Sequence, residues 1–122
     1  MNDELKAVDL RARTKDFALR VIRLCSTLPK SGPPDVMGRQ LVRCGTSVGA
    51  QYREAHRARS TAEFISKLES AIQELDETVY WIELLADARI VPAEKLALLQ
   101  REANELMAIL VASVKTAKRR RS

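Results

Sequence analysis

Apolar residues recur at intervals of three and four positions along almost the whole chain, and three polar breaks interrupt this pattern. The breaks lie at 28–35, 58–60 and 87–94, and each contains residues that are typical of turns or helix caps. Intervals of three and four positions place side chains on one face of an α-helix, because the helix has 3.6 residues per turn. The pattern therefore predicts four amphipathic helices separated by short connections.

The chain around the first break predicts where the first helix ends and the second begins. The first helix covers residues 4–27, and Gly32 and the two prolines that follow it prevent its continuation. The second helix starts near Asp35, a favourable N-cap residue, and runs to about residue 57. These limits predict two helices of similar length joined by a proline-rich turn.

Helix-start signals also mark the third and fourth helices. Ser60 and Glu63 have the spacing of a capping box, and Pro92 suits a first helical position. Helices of about 24 residues are roughly 36 Å long, and short connections make consecutive helices antiparallel neighbours. The prediction is an all-α, antiparallel, up-down-up-down four-helix bundle that forms one domain over residues 1–122. Residues 115–122 are predicted to be a flexible basic tail.

The second predicted helix has arginines on one side and apolar residues on the other. Successive side chains project about 100° apart, so its four aligned arginines lie within roughly 40° of one line. These are Arg39, Arg43, Arg53 and Arg57, which we call the arginine face. The opposite face is predicted to be buried and contains Met37, Leu41, Cys44, Val48, Tyr52 and Ala55. Because guanidinium groups fit phosphate oxygens, the arginine face is a candidate surface for binding a polyanion.

Charge is distributed unevenly along the sequence. The formal net charge is +5, and residues 115–121 contain five basic residues and no acidic ones. Residues 35–59 contain five arginines and two acidic residues, whereas residues 60–89 contain seven acidic and two basic residues. Such segregation fits either a polyanionic partner or basic and acidic faces that meet between subunits. The candidate nucleic-acid contacts are the arginine face and the basic residues Lys118, Arg119, Arg120 and Arg121.

The sequence contains no recognisable catalytic or metal-binding arrangement. Cys44 and His56 would be about 18 Å apart on one helix, which is too far for a nucleophile and its base. One histidine cannot supply the two Glu-x-x-His pairs of a bundle di-metal site, and no phosphate-binding glycine loop or serine elbow occurs. Cys25 and Cys44 are expected to be buried, unpaired thiols. We therefore expect no enzymatic activity, no metal and no cofactor.

Apolar residues also occur outside the main stripes of the third and fourth helices. A monomeric bundle would leave five of them exposed, namely Tyr80, Trp81, Leu84, Leu98 and Ile109. Exposed apolar side chains, and a Tyr-Trp pair in particular, are typical of protein interfaces. These residues predict a surface that mediates oligomerisation. Membrane contact is the weaker alternative, because acidic residues surround the Tyr-Trp pair.

The sequence indicates neither export nor membrane insertion. Its first residues mix both charge signs and lack an apolar segment of signal-peptide length. The longest apolar run, residues 106–112, is far shorter than the roughly 20 residues that a membrane-spanning helix needs. We expect a cytoplasmic protein.

Two stretches of the chain resemble a known protein family. LPKSGPPDVMGRQLVRCGTSVGAQYREA and STAEFISKLESAIQELDETVYWIELL are similar to segments of the bacterial four-helix-bundle proteins first noticed as open reading frames within ribosomal RNA intervening sequences. The resemblance covers residues 17–91, and its most specific parts are the small-residue run 44–50 and the sequence DETVYW at 76–81. It implies a cytosolic, non-enzymatic homo-oligomer, typically a pentamer around a central channel.

A related branch of that family implies a more specific function. Its members are accessory proteins of diversity-generating retroelements, in which a basic pentameric barrel binds nucleic acid and a reverse transcriptase. Two hypotheses follow. In the first, this chain is a pentameric scaffold that binds RNA or DNA through the arginine face and the basic tail. In the second, it is a protein-interaction or assembly module, such as an accessory subunit of a reverse transcriptase, without intrinsic nucleic-acid binding. In this module the arginine face pairs with acidic residues of the third helix or with another protein.

Overall fold

The computed structural model describes the backbone of residues 3–121 and the side chains of residues 10–121. It contains the helices α1 (Asp3–Ser26), α2 (Gly32–His56), α3 (Thr61–Asp87) and α4 (Ala93–Arg121). Within this described part there is no β-strand. Each helix packs against the next one in the chain across a short connection, so consecutive helices are antiparallel. The predicted all-α four-helix bundle is confirmed.

The core is formed by the apolar faces of all four helices. Its largest fully buried apolar side chains are Phe17, Val21, Leu41, Val48, Leu68, Leu75, Ile82, Leu85, Leu106 and Leu110. Burial of one such side chain stabilises the fold by about 1.5–3 kcal/mol, so this layer is the main source of stability. The predicted buried face of α2 is confirmed for Leu41, Cys44, Val48, Tyr52 and Ala55, and Met37 is partly buried at the edge of the core.

Small residues on α2 let α1 approach closely. A Cβ atom on Gly45 would lie 3.0 Å from both methyl groups of Val21. A Cβ atom on Gly49 would lie 3.1 Å from the Oγ1 atom of Thr14. These glycines therefore serve helix packing, as their position on a predicted helix indicated.

The start of α2 and the end of α4 differ from the predicted limits. α2 begins at Gly32 and not near Asp35, because the two prolines that follow Gly32 occupy its first turn, where a backbone N–H has no helical partner. α4 continues to Arg121, so the segment predicted as a flexible tail is helical up to this residue. Ser122 lies outside the described residues. Lysine and arginine are good helix formers, and their charges are stabilising at the negative end of the helix dipole.

The predicted capping box fixes the start of α3. The Ser60 hydroxyl accepts a hydrogen bond from the backbone N–H of Glu63 at 3.1 Å. The Glu63 carboxylate in turn accepts one from the backbone N–H of Arg59 at 3.3 Å. These bonds hold the short turn between α2 and α3, and they therefore set the register in which the two helices pack.

Candidate nucleic-acid interface

The bundle has one strongly basic end. The C-terminal ends of α2 and α4 lie at the same end of the bundle, because alternate helices run in the same direction, although these two helices do not contact each other. We call this the basic end, and its defining residues are Arg53, Arg57, Arg59, Lys115, Lys118, Arg119, Arg120 and Arg121. The fold thus places half of the arginine face at the same end of the bundle as the predicted basic residues of α4, on a helix diagonally opposite. Lys118 also binds Glu69 of α3, at 3.2 Å.

The other half of the arginine face is neutralised by carboxylates. The Arg39 guanidinium donates to Asp35, one helical turn earlier, at 3.1 Å. The Arg43 guanidinium lies against α3, where it donates to Glu74 at 3.3 Å and also to Glu77. Arg39 and Arg43 were predicted to contact nucleic acid, but their charges are compensated within the chain.

Arg43, Glu77 and Trp81 form a hydrogen-bonded cluster between α2 and α3. The indole N–H of Trp81 donates to the Glu77 carboxylate at 3.0 Å. Hydrogen bonds from Trp81 and Arg43 hold the pKa of Glu77 below its usual range. The hydrogen bond with Glu77 also raises the pKa of Arg43. The cluster therefore stays charged and paired at neutral pH.

Arg53 and Arg57 have different surroundings from Arg39 and Arg43. Arg53 is half-buried and Arg57 is exposed. Among the side chains of residues 10–121, no carboxylate pairs with either guanidinium, and the adjacent Glu54 binds Lys67 of α3 at 2.8 Å instead. Both arginines line a groove of about 430 Å³ between α1 and α2. This is the part of the predicted site whose positive charge remains available.

The structure adds Lys15 and Arg59 to the residues predicted from the sequence. Lys15 is an exposed residue of α1 and lines the same groove as Arg53 and Arg57. Arg59 is exposed in the turn after α2. Neither residue belongs to the arginine face, so the helical wheel of α2 did not identify them. Their position depends on the turns between helices, which a single-helix pattern does not contain.

Neither the histidine nor the cysteines form a reactive arrangement. His56 is exposed and lies edge-on to the Tyr52 ring at 4.6 Å and to the Phe64 ring at 6.0 Å. Cys25 and Cys44 are buried and free, as predicted. Burial raises the pKa of Cys25 to about 11 and also raises that of Cys44, which disfavours the reactive thiolate. In the described part of the chain, no three His, Cys, Asp or Glu side chains are arranged to hold a metal ion.

The predicted oligomer interface is only partly exposed. Tyr80 and Leu98 are 54% and 67% exposed. Trp81, Leu84 and Ile109 are half-buried, and Trp81 and Ile109 pack against the core. The expectation that these two residues lie outside the core was therefore wrong, because side chains at the edge of a helical stripe still reach neighbouring helices.

The end of the bundle opposite the basic end has several exposed apolar side chains among charged ones such as Arg23, Glu83 and Lys95. Its exposed large apolar residues are Leu19, Ile22, Val36, Tyr80 and Leu98, and all of them lie within about two turns of this end. We call it the apolar end. None of the helices in the described part is long and apolar enough to pass through a membrane.

These observations define a class of protein, namely an antiparallel four-helix bundle with one basic and one apolar end. The family model for the 23S rRNA-intervening sequence protein matches residues 6–112. The chain therefore belongs to the 23S rRNA-intervening sequence protein family, which confirms the resemblance seen in the sequence.

A solved structure agrees with this assignment. The chain is similar to a protein of unknown function from the S23 ribosomal protein family of Bacteroides thetaiotaomicron, whose crystal structure was determined at 1.70 Å resolution. The two sequences are 33% identical, and the similarity covers 90% of this chain and 98% of that chain with a TM-score of 0.82. None of the curated proteins compared with the chain matches its sequence.

Proposed function

We propose that this protein is a non-enzymatic scaffold that binds nucleic acid through its basic end in the cytoplasm. The observation that carries the proposal is the pair Arg53 and Arg57, which no described carboxylate neutralises. They lie at the same end as residues 115–121, which contain five basic residues and no acidic one. Guanidinium and ammonium groups that share one end of a protein bind phosphates and release the counterions that surround nucleic acid.

The proposed binding is directed at the phosphate backbone and not at the bases. Sequence-specific recognition of single strands requires exposed aromatic rings on which bases stack. Close to the basic end, Tyr52 is buried, Phe64 is half-buried, and the exposed ring of His56 already packs edge-on against both of them. The exposed ring of Tyr80 lies near the apolar end. Backbone contacts position a protein without reading sequence, so we expect little preference among RNA or DNA sequences.

We also propose that the protein assembles with itself, as a homopentamer. The support is the apolar end, where Tyr80 and Leu98 expose more than half of their surface. Contact between subunits would remove this apolar surface from water. Assembly would also present several basic ends to one nucleic acid, and this multivalency would strengthen weak individual contacts.

The test is light scattering coupled to size-exclusion chromatography, without and with a structured RNA, at low and high salt. We expect a pentamer that co-elutes with RNA at low salt and separates from it at high salt, because backbone binding weakens steeply with salt. A monomer would contradict the assembly. Failure to bind RNA at low salt would contradict the nucleic-acid scaffold.

A second candidate function is a protein-interaction module, such as an accessory subunit of a reverse transcriptase. Its support is that Arg43 is engaged with Glu74 and Glu77, so part of the arginine face holds helices together. This hypothesis expects substitutions of Arg43 and Arg57 to disturb assembly while RNA has no effect. A pentamer that ignores RNA at every salt concentration would favour it over the scaffold.

A further inference from the structure

The basic end contains a groove, and this groove has the size of a ligand site. It lies between α1 and α2 and has a volume of about 430 Å³. Small-molecule sites in proteins usually measure about 300–1,000 Å³. Lys15, Arg53 and Arg57 line it, together with small residues such as Gly49 and Ala50.

Small side chains explain why the surface is concave at this position. Gly49 lies against Thr14, and a Cβ atom at Gly49 would be only 3.1 Å from the Thr14 hydroxyl oxygen. Ala18 and Ala50 also line the groove and cannot fill it. Longer basic side chains therefore project beside a depression whose base consists of backbone and small groups.

The charge of the groove favours an anion. Glu54 is its acidic lining residue, and its carboxylate already binds Lys67 at 2.8 Å. Arg53 is half-buried, and none of the described carboxylates pairs with it. A guanidinium that is partly withdrawn from water without a counterion is unfavourable, so an anion that enters the groove gains a charge-assisted hydrogen bond.

We propose that this groove binds a backbone phosphate of the nucleic acid through Arg53, Arg57 and Lys15. The inference rests on the proposed function and names the contact point on which binding depends. Arg53 and Arg57 are one helical turn apart on the same side of α2, so both can reach one phosphate or two consecutive phosphates. A free phosphate compound offers the same chemistry, and the experiment below separates the two sources.

A second groove between α1 and α2 serves as an internal comparison. It has a similar volume of about 420 Å³, lies near the apolar end, and is lined by Ile22, Leu28 and Val42. Its arginine, Arg39, is paired with Asp35 at 3.1 Å. The exposed Lys30 is its other basic lining residue, so this groove has one uncompensated positive charge where the groove at Arg53 has three basic residues. A similar size with less positive charge predicts that it binds phosphate more weakly.

Two kinds of variant distinguish binding in the groove from binding through the overall positive charge. Arg53→Gln removes a proposed phosphate ligand, and Arg39→Gln is its control on the same helix. Ala50→Leu fills the groove without changing charge, and Ala108→Leu adds the same side chain at an exposed position in the middle of α4, away from the groove and from the apolar end. Ala18→Leu is a second filling variant in case Ala50→Leu does not fold, and circular dichroism checks the fold of each protein.

The first measurement is the affinity for a fluorescent single-stranded RNA at low salt. We expect Arg53→Gln and Ala50→Leu each to weaken binding about tenfold, which is the loss of one charge-assisted contact. The two controls should bind like the parent protein. If Arg53→Gln weakens binding while both filling variants bind normally, the groove proposal is overturned and the scaffold function stands.

The second measurement is a titration with inorganic pyrophosphate, followed by amide proton–nitrogen correlation spectra. We expect saturable shifts at Thr46, Gly49 and Ala50, and no such shifts in the Arg53→Gln protein. Saturable binding of pyrophosphate by a protein that does not bind RNA would overturn both the scaffold function and the backbone-phosphate proposal, and would identify a free phosphate compound as the ligand. Absence of pyrophosphate binding together with normal RNA binding would overturn the groove alone.

Discussion

The two halves of the arginine face on α2 have the same residue type but opposite electrostatic surroundings. Near the middle and start of the helix, Arg39 and Arg43 bind carboxylates of Asp35, Glu74 and Glu77. Near its end, Arg53 and Arg57 have no carboxylate partner among the described side chains. An arginine stripe on a helix is therefore not in itself a binding surface.

The difference has two sources, since Asp35 of α2 itself pairs with Arg39, and α3 places different residues opposite Arg43 and opposite the end of α2. α3 has two glutamates beside Arg43, whereas beside the end of α2 it has Lys67, which occupies Glu54. The acid that could have neutralised Arg53 is thus used by another base. A neighbouring helix decides which arginines remain available to an external anion.

The largest effect that we predict is a loss of stability of the fold, which would disrupt both halves of the arginine face. Gly45 lies between the two halves of α2, and Gly45→Leu would force a side chain against Val21, which is fully buried. We expect a loss of about 3 kcal/mol in the free energy of unfolding, because overpacking displaces the two backbones. Urea unfolding followed by the fluorescence of Trp81 measures this loss. An unchanged midpoint would show that α1 and α2 do not depend on close contact there, and Ala108→Leu on α4 is the control.

The next prediction compares the two halves directly with matched double variants. Arg53→Gln with Arg57→Gln should weaken RNA binding about 100-fold, since each lost phosphate contact contributes about 1.4 kcal/mol, or a factor of about ten. Arg39→Gln with Arg43→Gln removes the same formal charge and should weaken binding much less. Fluorescence anisotropy of a labelled RNA measures both.

Salt dependence gives that comparison a second readout. The slope of log affinity against log salt should become shallower by about 0.7–0.9 for each phosphate contact that is lost. We expect the Arg53/Arg57 variant to show this change and the Arg39/Arg43 variant to keep the parent slope. Equal losses of affinity and slope in both variants would mean that only net charge matters, and the distinction between the halves would be wrong.

Features that depend on one helix could be predicted from the sequence. The buried face of α2 follows from its period, since Leu41, Cys44 and Val48 recur at helical spacing, and all of them have no exposed surface. The capping box at Ser60 could likewise be predicted from local spacing. Family membership could also be recognised, because the motifs that carry it are contiguous in the chain.

Features that depend on two helices were predicted less completely. Pairing of the arginine face with acidic residues of the third helix was one of two hypotheses, and the individual partners were not identified, although a simple signal for them exists. In an antiparallel pair, residues at equal distances from the turn lie at the same height. Arg43 and Glu74 are almost equally far from the 58–60 break, and they form an ion pair. Thr14 and Gly49 are similarly placed around Gly32, and they are in contact. Reflection of the sequence about the turn at 58–60 would therefore have indicated that Arg43 is neutralised, whereas the Arg39–Asp35 pair follows from i,i+4 spacing on α2.

The third prediction uses the Arg13–Glu102 pair between α1 and α4 as a reference. It compares the contribution of this pair to stability with that of the surface ion pairs on α2. The Arg13 guanidinium donates to both carboxylate oxygens of Glu102, at 3.0 and 2.6 Å, and both side chains are largely shielded from water. We expect Glu102→Gln to lower the free energy of unfolding by about 1–2 kcal/mol at neutral pH. This is a larger loss than any surface pair on α2 should give.

The stabilisation of the fold by this pair should decrease as the pH falls. The hydrogen bond from Arg13 holds the pKa of Glu102 below its usual range, so the pair stabilises the fold fully above the ordinary glutamate pKa of about 4.3. This stability is lost as the pH falls through the lowered pKa of the folded protein. The difference between parent and Glu102→Gln should therefore shrink in acid. A difference that stays constant down to acid unfolding would contradict the ion pair.

The smallest effect that we predict concerns Arg43→Gln. The pairs of Arg43 with Glu74 and Glu77 are exposed, so water and salt screen them. Their removal should therefore lower the unfolding midpoint only slightly at low salt and not at all at high salt. RNA affinity should not change, because the same carboxylates already neutralise this guanidinium. If Arg43→Gln weakens RNA binding as much as Arg57→Gln does, the carboxylates do not compensate Arg43 and the whole arginine face faces the ligand. If it disturbs assembly instead, Arg43 belongs to a subunit contact and the protein-interaction module gains support.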